Sequence, residues 1–207
     1  MDIIQKYFPN LTPEQERQFA ALDGLYHDWN AKINVISRKD IDNLYEHHVL
    51  HSLAIAKALR FTSDTKIMDF GCGGGFPGIP LAIMFPECQF KLIDRTAKKI
   101  RVCNEVATAL GLKNVVAEQK GGEEEKDKFD FVVSRAVMPL PDVMKIVRKN
   151  IEKKAQHNAM PNGVFCLKGG DLQAETRPFK NIVEQRELTE WFEEEWFKEK
   201  HLIYVPC

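Results

Sequence analysis

Four glycines stand within five positions in Lys66-Ile67-Met68-Asp69-Phe70-Gly71-Cys72-Gly73-Gly74-Gly75-Phe76-Pro77-Gly78, just after a short apolar run and an aspartate. Glycines so close together are costly to a folded chain unless the backbone must take positive φ or lie against something. A strand-to-helix turn of this kind aims backbone N–H groups at whatever binds above it. Gly73-x-Gly75-x-x-Gly78, with Asp94 beyond it, matches a dinucleotide fingerprint. The surrounding chemistry speaks against a phosphate. Asp69 would repel a pyrophosphate and suits a cationic amino acid instead. Pro77 and Pro80 also remove two N–H donors where a phosphate cradle would need them. Asp94 ends the apolar run Gln89-Phe90-Lys91-Leu92-Ile93, where it can accept from both hydroxyls of a ribose or cap the helix that follows. Arg135 leaves a second apolar run, Phe129–Ser134, and Lys168 a third, Val164–Leu167. A buried arginine is costly unless paired, so Arg135 is expected to meet Asp69 or an anionic group of a ligand.

Other constellations carry less. His47 and His51 share a helix face at i and i+4. A metal needs a further ligand, the H-E-x-x-H arrangement is absent, and no metal site is expected. Five cysteines, an odd number with no C-x-x-C, argue against a disulfide framework and for a reducing, cytoplasmic setting. The formal net charge is −1, so any nucleic-acid contact must use local patches such as Lys98, Lys99 and Arg101. No run approaches the ~18 apolar residues of a membrane helix. Met1–Lys6 lacks the basic and apolar regions of a signal peptide.

The elements that must position these residues alternate between helix and strand. Thr12-Pro13-Glu14-Gln15 reads as a capping box and a proline at the first helical position. Phe19, Leu22, Leu25, Tyr26 and Trp29 then recur at helical spacing. Trp29–Ser37 breaks the pattern and reads as a loop, and a second helix is expected from about Asp40 to Leu59. After the glycine turn come a short helix to Met84, the strand ending at Asp94, and a basic helix stopped by Gly111. Strands follow at Asn114–Ala117, Phe129–Arg135 and Val164–Lys168, with strand-like segments at 182–188 and 201–205. Gln119–Lys128 reads as a solvent loop. The length suits one α/β unit, with residues 1–62 a helical extension and 63–207 the sheet-containing part.

Asp69-x-Gly71-x-Gly73-x-Gly75 also resembles the first motif of the Rossmann-like S-adenosylmethionine methyltransferases. Its continuation, Phe76-Pro77-Gly78-Ile79-Pro80, narrows the resemblance to the RsmG/GidB family, the glucose-inhibited division protein B or ribosomal RNA small subunit methyltransferase G enzymes. Trp29-Asn30, Asn34-Val35-Ile36-Ser37, His48-Val49-Leu50-His51-Ser52, Lys98-Lys99-x-Arg101, Ser134-Arg135-Ala136 and Leu167-Lys168-Gly169 are similar to further family motifs in the expected order. The resemblance implies a class I fold, α/β, with about seven mostly parallel strands and helices on both faces. It implies methyl transfer from S-adenosylmethionine to N7 of guanine 527 of 16S rRNA in the 30S subunit; with no strong self-association signal in the sequence, a monomer is expected. It also implies cofactor contacts from Asp69, Gly71, Gly73, Phe76, Asp94, Gly122, Glu123 and Arg135, and catalytic or RNA-facing roles for Asn34, His48, Arg135 and Lys168. His51 stands where the family usually has aspartate, and His47 and Gly121 where arginine is common. The residue chemistry agrees, because guanine N7 carries a free lone pair and needs no general base. The remaining readings are methylation of another RNA or small molecule, and an RNA-binding relative without turnover.

Overall fold

The expected capping box forms. The Thr12 hydroxyl accepts from the Gln15 N–H and the Gln15 side chain accepts from the Thr12 N–H, which starts helix α2 (Pro13–Asn30) after the short α1 (Asp2–Tyr7). Phe19, Leu22 and Tyr26 are buried along its inner face. Helix α2 runs through Trp29 to Asn30, so the loop begins two residues later than the sequence pattern suggests. Asn30 then fixes that loop. Its side-chain oxygen accepts from the N–H groups of Val35 and Ile36, and its amide donates to the Ile36 carbonyl.

The second helix departs from expectation. In place of one α-helix there is a 3₁₀ turn at Ile41–Asn43, a π-helical stretch at Leu44–Leu50, and only then α3 (His51–Ala58). Consecutive side chains of an α-helix diverge by about 100°. In the wider π winding, His47 and His48 both reach Asp40, at 2.5 and 2.6 Å.

The structure, a computed structural model, describes residues 1–207. Its sheet has seven strands in the order β3-β2-β1-β4-β5-β7-β6. These are β1 (Lys66–Phe70), β2 (Gln89–Asp94), β3 (Val115–Gln119), β4 (Phe131–Arg135), β5 (Gly163–Gly169), β6 (Glu184–Glu187) and β7 (Lys200–Pro206). β7 alone runs opposite to the other six strands. This is the α/β architecture expected. Helices α4 (Gly78–Met84), α5 (Ala97–Leu110) and α6 (Leu140–Val147) connect the parallel strands, and the short α7 (Gln173–Thr176) follows β5.

Alternate strand residues face opposite ways. Phe131 and Val133 join the larger apolar cluster with α1–α5, while Val132 joins a second cluster with α6. Residues before the first strand therefore share a core with one face of the sheet. Strand order reverses between β1 and β4, and the crevice at the carboxyl ends of these strands is where open α/β sheets bind ligands. No helix is long and apolar enough to cross a membrane.

Asp130 secures the opposite end of the sheet. Buried at the start of β4, it accepts from the Lys66 N–H at 2.8 Å and the Asn162 side chain at 3.4 Å, beside the first residues of β1 and β5. Asp130→Ala leaves both donors without that partner, and a loss of about 2–4 kcal/mol is expected. The urea unfolding midpoint checks this, with an unchanged slope marking a pure stability effect.

The polar segment 119–128 is not simply solvated. Glu125 is 1% exposed. Burial would raise its pKa, but the N–H groups of Asp127 and Lys126 and the amines of Lys91 and Lys120 hold it near 2.

Candidate functional site

The glycine turn is built around Asp69. Gly78 packs so close that a Cβ there would lie 2.7 Å from Asp69 Oδ2, and its N–H donates to that oxygen at 2.7 Å. The other oxygen, Oδ1, is buried and has no partner. Burial pushes the Asp69 carboxyl up to about 7, against the Gly78 N–H and the charge of Arg135. A buried carboxylate with one oxygen unsatisfied calls for a charged donor. Gly73 has a φ of 55°, and a Cβ placed on it would meet nothing within 4 Å, so the turn faces open space there. Gly71 also has positive φ, and Phe76 lies at the foot of the turn with its ring 4.8 Å from that of Tyr26.

Asp94 is held by two backbone donors, one in the glycine turn and one just before the next helix. Oδ1 accepts from the Thr96 N–H at 2.8 Å, at the start of α5, and Oδ2 accepts from the Gly73 N–H at 3.0 Å. A carboxylate has about four acceptor positions, so capacity remains for hydroxyl groups. The extension supports the turn from beneath: the Tyr26 hydroxyl donates to the Gly74 carbonyl at 2.6 Å. Cys103 of α5 donates to the Gly73 carbonyl at 3.3 Å.

Arg135 does not hydrogen-bond Asp69. Its guanidinium lies 5.2 Å above the Phe76 ring and donates to the His47 carbonyl at 3.2 Å and to His48 Nδ1 at 3.0 Å. Burial lowers its pKa to about 10, which leaves it charged at neutral pH. Because Nδ1 of His48 accepts, Nε2 carries the proton and donates to Asp40 at 2.6 Å. Burial and the nearby Arg135 charge pull His48 down to about 4 despite Asp40, so its ring is neutral. His47 stacks on Trp196 at 4.2 Å, and buried His51 meets the same indole edge-on.

The other expected residues are more scattered. Asn34 is exposed, in the loop whose Val35 packs against Gly74. Gly122 is wedged between Phe70 and Ile146, where a Cβ would lie 2.5 and 2.7 Å from their side chains. The exposed Glu123 carboxylate pairs with Arg95 at 2.7 Å. Lys168 stands near the carboxyl end of β5 as expected, but its amine is turned inward, onto Glu175 at 2.7 Å and the Met138 carbonyl at 2.8 Å. The fold thus gathers Asp69, Gly71, Gly73, Phe76 and Asp94 at one turn and links His48 and Arg135 to it through Phe76, while Lys168 belongs to a neighbouring ion pair.

The sequence matches the GidB family, rRNA small subunit methyltransferase G, over residues 15–202. The chain belongs to this family. A ribosomal RNA small subunit methyltransferase G from Bacteroides thetaiotaomicron is 65% identical over 204 residues, covering 99% of this chain and 98% of that protein. One of the same name from Phocaeicola vulgatus is 63% identical over 205 residues, with the same coverage. The solved precorrin-6y C5,15-methyltransferase of Geobacter metallireducens superposes with a TM-score of 0.55 at 12% identity, over 84% of this chain and 90% of that one, a likeness of fold.

Two residues that hold these side chains in place carry no sequence signal. Asp40 looks like any polar residue before a helix, yet it takes a ring nitrogen from each of two histidines. Glu175 lies in a polar stretch after β5 and holds both Lys168 and the Leu140 N–H that opens α6.

Proposed function

We propose that the chain transfers a methyl group from S-adenosylmethionine to N7 of guanine 527 in 16S rRNA of the 30S subunit, acting in the cytoplasm as a monomer. The observation that carries this reading is the buried, unpartnered Oδ1 of Asp69 beneath a glycine turn that faces open space. It fits an ammonium, which this ligand has, and not a pyrophosphate. Bound S-adenosylmethionine supplies a methyl group activated by a sulfonium.

Asp69 holds the amino-acid ammonium, and the free acceptor positions of Asp94 take the ribose hydroxyls. Gly71 and Gly73 allow close approach of the backbone, and Phe76 shapes the floor. The Gly122–Glu123 backbone flanks the adenine. Residues 1–62 form one wall, from which Asn34 reaches toward RNA. Arg135, pre-ordered by Phe76 and His48, presents a cation to the guanine or its phosphate. His48 and Lys168 act through position, since the ring nitrogens of one and the amine of the other are already engaged.

A lone-pair nucleophile needs alignment rather than proton removal. Neutral His48, pinned from both sides, is not available as a base. With both substrates saturating, kcat is therefore expected to be flat from pH 7 to 9. A steep limb in that range, measured under single-turnover conditions, would point to a titrating base and a different target atom. The substrate is tested with labelled S-adenosylmethionine and 30S subunits lacking their own methyl group at this site, beside naked 16S rRNA and an unrelated RNA. Label in the ribosomal RNA alone is expected; label in no RNA would defeat the reading.

A further inference from the structure

The end of α2 and the start of α5 enclose a groove of about 370 Å³ that the site described above does not use. Its lining is Trp29, Lys32, Ile33, Lys98 and Arg101. Two of the three cations rest on the indole, with Lys32 Nζ 4.9 Å and Arg101 Cζ 5.7 Å from the Trp29 ring centroid. Contact with an aromatic face orders a cation without neutralising it. None of the three has a carboxylate within ion-pair distance. Arg95, just before α5, is by contrast paired with Glu123. A chain of net charge −1 thus keeps three uncompensated, partly pre-ordered positive charges in one concave place.

The position adds to this. Helix α5 starts three residues after Asp94, at the carboxyl end of β2, and the loop carrying Lys32 continues to Val35 against Gly74. The groove therefore borders the glycine turn.

We propose that this groove binds the sugar–phosphate backbone of the RNA next to the target guanine, with Trp29 as the platform that holds Lys32 and Arg101 ready. Arginine and lysine contacts to phosphates position a nucleic acid without reading its sequence. The proposal rests on the rRNA reading above and assigns to this groove the anchoring that the reacting pocket lacks.

The test is equilibrium binding of the full chain to 30S subunits lacking the methyl group, across a salt series, without turnover. Lys98→Ala combined with Arg101→Ala is expected to weaken binding at least about tenfold and to lower the slope of log K against log salt by between about 1.4 and 1.8, one phosphate for each cation. Affinity for S-adenosylhomocysteine serves as the control for folding and is expected to stay within twofold of wild type. Trp29→Phe is expected to keep most of the RNA affinity and Trp29→Ala to lose it. Unchanged affinity and slope in the double variant would overturn the groove, even in an enzyme that methylates its substrate. Loss of binding in the variants, with a wild type that binds 30S subunits but transfers no methyl to them, would leave the groove standing and remove the reading of function.

Discussion

Asp69→Asn is expected to weaken S-adenosylhomocysteine binding by about a hundredfold or more and to abolish its dependence on pH below 7. The product carries the same amino acid as the methyl donor and is the convenient probe. Removing one partner of a buried charge pair costs about 3–5 kcal/mol, and 1.4 kcal/mol is tenfold in affinity. In the free protein burial holds the Asp69 carboxyl near 7, so below neutrality it is protonated. An ammonium binds the ionised form. Binding should therefore tighten about tenfold for each pH unit from 5 toward 7 and release a proton in that range. It should weaken again only at more alkaline pH, once the amine of the ligand's amino-acid end loses its own proton.

Stability of the free protein follows the opposite course. The folded pKa lies above the unfolded value of about 3.9, so the native state binds the extra proton. The contribution is full below about pH 4 and is lost as pH rises through 7. Asp69→Asn should remove that decline, and saturating ligand should reverse it. Calorimetric titration and urea unfolding at pH 5, 6 and 7 test the two signs separately. A wild-type affinity that does not vary between pH 5 and 7 would show that Asp69 does not hold the ammonium.

Arg135→Ala is expected to lower kcat for methyl transfer by about 10²–10³, the usual cost of losing one pre-ordered electrostatic group. The guanidinium is buried, stacked on Phe76 and fixed by two acceptors, so little reorganisation is needed when a substrate arrives. The same substitution removes the charge that helps hold His48 near 4, and the His48 pKa should rise toward its ordinary value of about 6.5. Proton NMR of the imidazole reads this independently of activity. Arg135→Lys keeps the charge but neither the fork nor the flat stack, and it should restore only part of the rate. Full methyl transfer by both variants would remove Arg135 from the mechanism.

What was legible in the sequence is what short-range chemistry decides. The Thr12–Gln15 box, the glycine turn after an acidic strand end, and Asp94 closing β2 are local patterns with a single good backbone solution, and each is found where expected. What was not legible depends on partners far along the chain. Leu44, Val49, Leu50 and Leu53 recur in a way that reads as ordinary helix. The π winding comes with the capture of two adjacent histidines by Asp40, and no local pattern encodes it. In Glu123-Glu124-Glu125 three identical side chains have different fates, because Lys91 of β2 and Lys120 just past β3 reach only the third when the sheet assembles. Lys168 stands at the strand end that its place in the sequence implies, yet its direction is set by Glu175, which no spacing rule connects to it. Arg135 reads from the sequence as a buried cation needing company, and the company is an aromatic face, a carbonyl and a histidine rather than Asp69.

The most direct test is the chemical identity and position of the transferred methyl group. Label from S-adenosylmethionine is incorporated into unmethylated 30S subunits, the RNA is digested for nucleoside analysis, and a parallel sample is reduced and cleaved with aniline, which breaks the strand at 7-methylguanosine. The account predicts labelled 7-methylguanosine and a single new scission at guanine 527, both lost in Asp69→Asn at limiting cofactor. Label in any nucleoside methylated on an exocyclic amine or a pyrimidine carbon would contradict it, because such an atom must lose a proton and the site holds no free base to take it.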